Sequence, residues 1–119
     1  MKKNGVEKTK INLLDLIPVR NIKWEKKEDL IILLKPKFKH PFLKKNVLPR
    51  LKNPCYKIRL DPVGTFIWEL CDGSLSVKKL AKSLKDEFGD KVEPLYDRLA
   101  LFLHSLEKNH FIFYKGKDE

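Results

Sequence analysis

The stretch Leu60-Asp61-Pro62-Val63-Gly64-Thr65-Phe66-Ile67-Trp68-Glu69-Leu70-Cys71-Asp72-Gly73 decides the fold. Asp61 carries a short acceptor side chain suited to the free amides at a helix start, and Pro62 suits the first helical position. Val63, Phe66, Ile67, Leu70 and Cys71 then recur at i, i+3, i+4, i+7 and i+8, which lays one apolar stripe along a helix. Gly73 tolerates positive φ and serves as the stop. The spacing predicts a helix over 61–73.

Two further helices follow on the C-terminal side. Ser76 caps a stripe of Val77, Leu80, Ala81, Leu84 and Phe88 that Gly89 ends, so the second helix is expected over 76–89. Pro94 opens a third, expected over 93–109, with Leu95, Leu99, Phe102, Leu103 and Leu106 inward and Asn109 as terminator. Phe111–Tyr114 is short and apolar and reads as a closing strand.

On the N-terminal side the pattern changes to period two. Tyr56-Lys57-Ile58-Arg59-Leu60 alternates, which places Tyr56, Ile58 and Leu60 toward the core and Lys57 and Arg59 outward. Ile22–Glu25 and Leu30–Leu34 flank a polar step at Lys26–Asp29 and read as a hairpin. Strands are expected over 22–26, 30–35 and 56–60. Between the last two, Pro36, Pro41, Pro49 and Pro54 fall within 19 residues, so 35–54 is a loop with room for a short helical turn. Residues 1–20 are expected to be a partly ordered extension, 21–114 the domain, and 115–119 a tail. The class is α+β: a small antiparallel sheet followed by a three-helix bundle, with a winged helix-turn-helix as the leading architecture.

The 119 residues suffice for one domain, and a 42% hydrophobic share excludes wholesale disorder. The longest apolar runs, Leu30–Leu34 and Leu99–Leu103, are too short to span a bilayer. Two cysteines, Cys55 and Cys71, make no disulfide framework, so a reduced, cytoplasmic protein is expected. Charge is asymmetric within the net +10. Residues 1–60 hold 17 basic and 5 acidic side chains, whereas 61–119 hold 9 and 11. No acid occurs from Leu30 to Leu60, while Lys35, Lys37, Lys39, Lys44, Lys45, Arg50, Lys52, Lys57 and Arg59 are all basic. Such a surface suits an anionic partner or simply a solvated face.

No catalytic constellation is legible. His40, His104 and His110 lack metal-ligand spacing, and neither cysteine has a histidine at a recognisable distance. The five glycines are isolated, so no phosphate-cradling loop exists. With no convergent nucleophile, base and oxyanion donor, the chain is expected to be no enzyme and to need neither metal nor cofactor. Trp24 and Trp68 read as partly buried core.

From Leu60 to Gly73 the chain resembles the PqqD family, proteins related to coenzyme PQQ synthesis protein D. The resemblance continues through Ser76–Ala81, Leu84, Glu87-Phe88-Gly89, Val92, Arg98-Leu99, Phe102-Leu103, Leu106 and Phe111-Ile112. It implies a winged-helix fold of three strands and three helices, and a recognition element for ribosomally made, post-translationally modified peptides. The leader of the precursor would add as a strand to Tyr56–Leu60 and rest on the helix from Pro94 to Asn109. The module would present the peptide to a modifying enzyme of the radical SAM type. Peptide contacts are accordingly expected at Tyr56, Lys57, Ile58, Arg59, Leu60, Leu99, Phe102 and Leu103. The 35–54 segment is longer and more basic than the compact hairpin connection of that family.

The residues support this reading on their own terms, because an open strand edge is a template for an added strand. The same edge can pair with itself, so monomer and homodimer both stay open. The alternative is a winged-helix nucleic-acid binder. Its groove-reading helix would be 93–109, where Glu93, Asp97 and Glu107 outweigh Arg98 and Lys108, so only weak, non-specific binding through the basic half is expected.

Overall fold

A computed structural model describes residues 12–38 and 40–115. Residues 1–11, Lys39 and 116–119, which hold most of the predicted extension and tail, lie outside the described residues. The elements run in the order β1 (Ile17–Arg20), β2 (Trp24–Lys27), β3 (Leu30–Pro36), α1 (Pro41–Asn46), β4 (Cys55–Arg59), α2 (Pro62–Leu70), α3 (Val77–Phe88), α4 (Leu95–Lys108) and β5 (Ile112–Lys115). Single 3-10 turns occur at Leu13–Asp15, Leu48–Arg50 and Gly89–Val92. The protein is α+β, with antiparallel sheets and, among the described residues, four α-helices, and this element order is compatible with a winged helix. The chain divides into two compact units, Ile22–Thr65 and the remainder on either side of it.

In Ile22–Thr65 the three-stranded sheet has the order β2-β3-β4. Its hairpin aligns Trp24 with Leu33 and Lys27 with Leu30. The two linking residues, Glu28 (φ 54°) and Asp29 (φ 67°), both take the left-handed conformation. A two-residue loop of that kind matches the right-handed twist of the strands it joins. Beyond β3 the expected loop does contain short helical pieces. His40 Nδ1 accepts from Phe42 N–H at 3.1 Å to start α1. The end of the sheet is tied to α2. Ile31 C=O accepts from Leu60 N–H at 2.8 Å, whereas Ile31 N–H turns to the buried Thr65 hydroxyl at 3.0 Å. Asp61 performs the expected cap, its Oδ1 accepting from Gly64 N–H at 2.7 Å.

The other unit holds an element the sequence reading did not place. β1 pairs with β5 as a separate two-stranded sheet, Val19 opposite Phe113. It also captures the chain beyond α2: Arg20 N–H donates to Cys71 C=O, Gly73 N–H to Pro18 C=O, and Val19 bridges Asp72. For this reason the first helix stops at Leu70 and not at Gly73. Gly73 still supplies the left-handed turn, at φ +85° with the Val19 methyl 3.4 Å from where a Cβ would sit. The Arg20 guanidinium completes the helix end, donating to the carbonyls of Trp68 (3.3 Å) and Glu69 (3.1 Å).

α3 begins on Ser76 and ends at Gly89 (φ +63°), as the spacing predicts. Phe66 meets Phe88 edge to face, with ring centres 5.5 Å apart. At the start of α4, Glu93 accepts from Leu95 N–H and binds the Lys85 ammonium. The Lys85 contact and that amide hold the Glu93 carboxyl below its ordinary range. α4 ends at Lys108 with Asn109 as cap, but the left-handed residue is His110 (φ 64°). Leu80, Ala81, Leu84, Leu99, Leu103, Leu106 and Ile112 are buried, and so is Trp68, completely. The expectation of a partly buried Trp68 is thereby corrected: the buried face of α2 runs through Gly64, Thr65, Ile67, Trp68 and Cys71, rotated from the predicted stripe, whose Val63, Phe66 and Leu70 are only half-buried. Trp24, on the hairpin, keeps 40% of its surface exposed.

Candidate functional site

The site is built on β4, which is hydrogen-bonded on one side only among the described residues. In an antiparallel ladder, alternate residues direct both backbone groups at the same neighbour. Three bonds set that phase here. Leu60 N–H donates to Ile31 C=O, Lys37 N–H to Pro54 C=O, and on the far side of β3 Leu34 N–H to Lys23 C=O. With Leu33 aligned to Ile58 and Leu34 to Lys57, Tyr56 and Ile58 turn their backbone groups toward β3. Cys55, Lys57 and Arg59 therefore aim N–H and C=O at the open edge. Pro36 disturbs nothing in this ladder, because its position directs backbone away from β4.

Cross-strand neighbours share a face of the sheet. Lys57 and Arg59 stand with Glu25, Ile32 and Leu34, and Lys57 Nζ lies 3.9 Å from Glu25 Oε1 with both side chains largely exposed. Tyr56 and Ile58 take the opposite face, with Lys35, Leu33 and Trp24. The expectation that Tyr56, Ile58 and Leu60 all face the core holds for Leu60, which is buried, and partly for Ile58, which is half-buried. Tyr56 departs from it and is 55% exposed. The reason is its place near the end of the ladder, beside Lys35 and not an apolar residue. The Lys37 ammonium sits 5.5 Å from the centre of its ring, a cation–π contact. Among the described residues the β4 edge thus offers amides and carbonyls outside the ladder, two outward cations on one face, and an aromatic and an aliphatic side chain on the other.

The remaining expected contacts lie on α4. Leu99 and Leu103 are buried and Phe102 is half-buried, whereas Tyr96 and Leu101 are exposed. Leu99 also lines an apolar groove of about 290 Å³ with Leu13, Leu14, Val77, Tyr96 and Ala100. Leu13 and Leu14 belong to a 3-10 turn in the predicted extension, and no periodicity in the sequence announces them. The outward phase of Cys55 was likewise illegible, since it depends on ladder register.

Other candidate groups have structural employment. Burial pushes the Cys71 thiol up to about 12, which keeps it protonated and inert at neutral pH. Asp72 accepts from the Ser74 hydroxyl and amide, and these bonds hold its carboxyl below the ordinary range. Arg98 donates to the Lys91 carbonyl at 2.8 Å. Among the described residues, no three His, Cys, Asp or Glu side chains converge as a metal site. None of the described helices is long and apolar enough to cross a membrane.

Residues 56–112 match the family described as coenzyme PQQ synthesis protein D, PqqD. No curated protein and no solved structure matches the chain.

Proposed function

We infer that this chain, whose residues 56–112 match the PqqD family, belongs to that family, and we propose that residues 21–114 are a leader-recognition module, a non-catalytic binder of a peptide that a radical SAM enzyme modifies. The leader of a ribosomally made precursor adds as a strand to β4, and the module hands it to the modifying enzyme as a peptide chaperone. The open edge carries this reading. Strand addition needs unpaired backbone groups in sequence register, and Cys55, Lys57 and Arg59 present them at alternate positions. Main-chain bonds supply alignment, and apolar leader side chains covering Tyr56 and Ile58 supply affinity through burial. No cofactor is required, because the chemistry belongs to the partner enzyme.

The test uses synthetic leaders from short open reading frames beside the gene, titrated into isotopically labelled full-length protein. Amide exchange at Cys55, Lys57 and Arg59 is expected to slow on binding, while Tyr56 and Ile58, already bonded to β3, change little. Lys57→Glu and Arg59→Glu should each weaken an acidic leader by about 1 kcal/mol through charge at the rim. Responses concentrated in 40–54 with β4 silent would overturn strand addition.

A further inference from the structure

We infer that the β4 edge selects a strand whose side chains alternate between acidic and apolar, with the acidic ones opposite Lys57 and Arg59. This rests on the strand-addition reading above and names the class of peptide that reading admits. The phase follows from the sheet. An added strand places the residue opposite Lys57 or Arg59 on their face, and its neighbours on the face of Tyr56 and Ile58.

The two faces differ in chemistry. On the first, the strands contribute Lys27, Lys57 and Arg59 against the single carboxylate Glu25, with Ile32 and Leu34 between them. A carboxylate arriving there meets two cations on its own rung and the next, and a lysine would meet repulsion. On the second face, the exposed Tyr56 ring and the half-buried Ile58 offer apolar surface that an aliphatic side chain would cover. A second copy of this chain is a poor occupant. Antiparallel self-pairing centred on Lys57 sets Lys57 against its own copy, and cations on an exposed edge oppose such pairing.

Three capped peptides of equal length separate the possibilities: alternating Leu and Glu, alternating Leu and Lys, and the Leu and Glu residues gathered in two blocks. Binding to the full chain is measured at low ionic strength by fluorescence anisotropy. The alternating acidic peptide should bind about tenfold more tightly than either of the others. The Lys57→Glu/Arg59→Glu protein should reverse the order of the two alternating peptides. Both side chains are exposed, so its amide spectrum should stay native; if it does not, Arg59→Gln alone should halve the preference or more. Equal affinity for alternating and blocked peptides, or no binding by the acidic one, overturns the inference. Slowed exchange at Cys55, Lys57 and Arg59 without any charge preference sinks this inference alone. Binding that leaves those amides unchanged removes strand addition as well.

Discussion

Thr65 shows how much one hydroxyl can decide. It accepts the N–H of Ile31, a residue only 1% exposed, where the ladder to β4 gives out. Thr65→Val keeps the shape and strands that amide, so unfolding by denaturant should show a loss of about 1–3 kcal/mol. Thr65→Ser, which restores the acceptor, should recover most of it. Cys71 gives a second residue-scale expectation. Its thiol is raised to about 12 by burial, from about 8.5 in the unfolded chain. A group raised on folding contributes stability that is complete below its unfolded value and is lost as pH rises toward the folded one. Denaturant midpoints should therefore fall as pH climbs above about 8.5, and Cys71→Ala should flatten that limb. In native protein a thiol reagent should label Cys55 and spare Cys71.

Among the elements, the β2–β3 hairpin is the one held against local preference. Glu28 and Asp29 both occupy the left-handed region, which suits glycine and costs other residues about 1 kcal/mol each. Asp29→Gly should stabilise the fold by about 0.5–1 kcal/mol in chemical unfolding, because the turn type already demands that conformation. α2 illustrates the reverse case, an element shortened by a tertiary partner. Its cap at Asp61 and its helical spacing along Val63–Leu70 are legible, but its end and the face it buries are not. β1 takes the backbone of Cys71 and Gly73 into its own hydrogen bonds, and no local pattern around Gly73 reports a strand fifty residues earlier.

Charge acts at the scale of the whole molecule. The acid-free run from Leu30 to Leu60 accounts for most of the net +10. α4, the helix that would enter a DNA groove, has Asp97 and Glu107 against Arg98 and Lys108, and Arg98 already holds the Lys91 carbonyl. Duplex DNA should consequently bind weakly, without sequence preference, and dissociate steeply as salt rises. Reversing Lys35 and Lys37 should weaken that binding in an electrophoretic or anisotropy titration, whereas Arg98→Ala should hardly alter it. A sequence-selective complex stable at physiological salt would replace the peptide reading with a nucleic-acid one.

The local code alone determined the presence of the three longer helices, their caps at Asp61 and Ser76, the stop at Gly89, the alternating strand at 56–60, and the hairpin, though not its turn, since Lys26 and Lys27 belong to β2 and only Glu28 and Asp29 link the strands. Each depends on residues within one or two turns of each other, where side-chain period and capping chemistry act directly. The β1–β5 sheet was hidden because Ile17–Arg20 is short, contains Pro18, and gains its ladder only from a partner ninety residues away. The complete burial of Trp68 and the exposure of Tyr56 were set by neighbours that the linear pattern does not name. For the site, the alternation at 56–60 marked out Lys57 and Arg59 as outward side chains, but not which amides stand open. Backbone direction alternates with ladder register, and register is a property of paired strands, so only the tertiary structure could assign that edge to Cys55, Lys57 and Arg59.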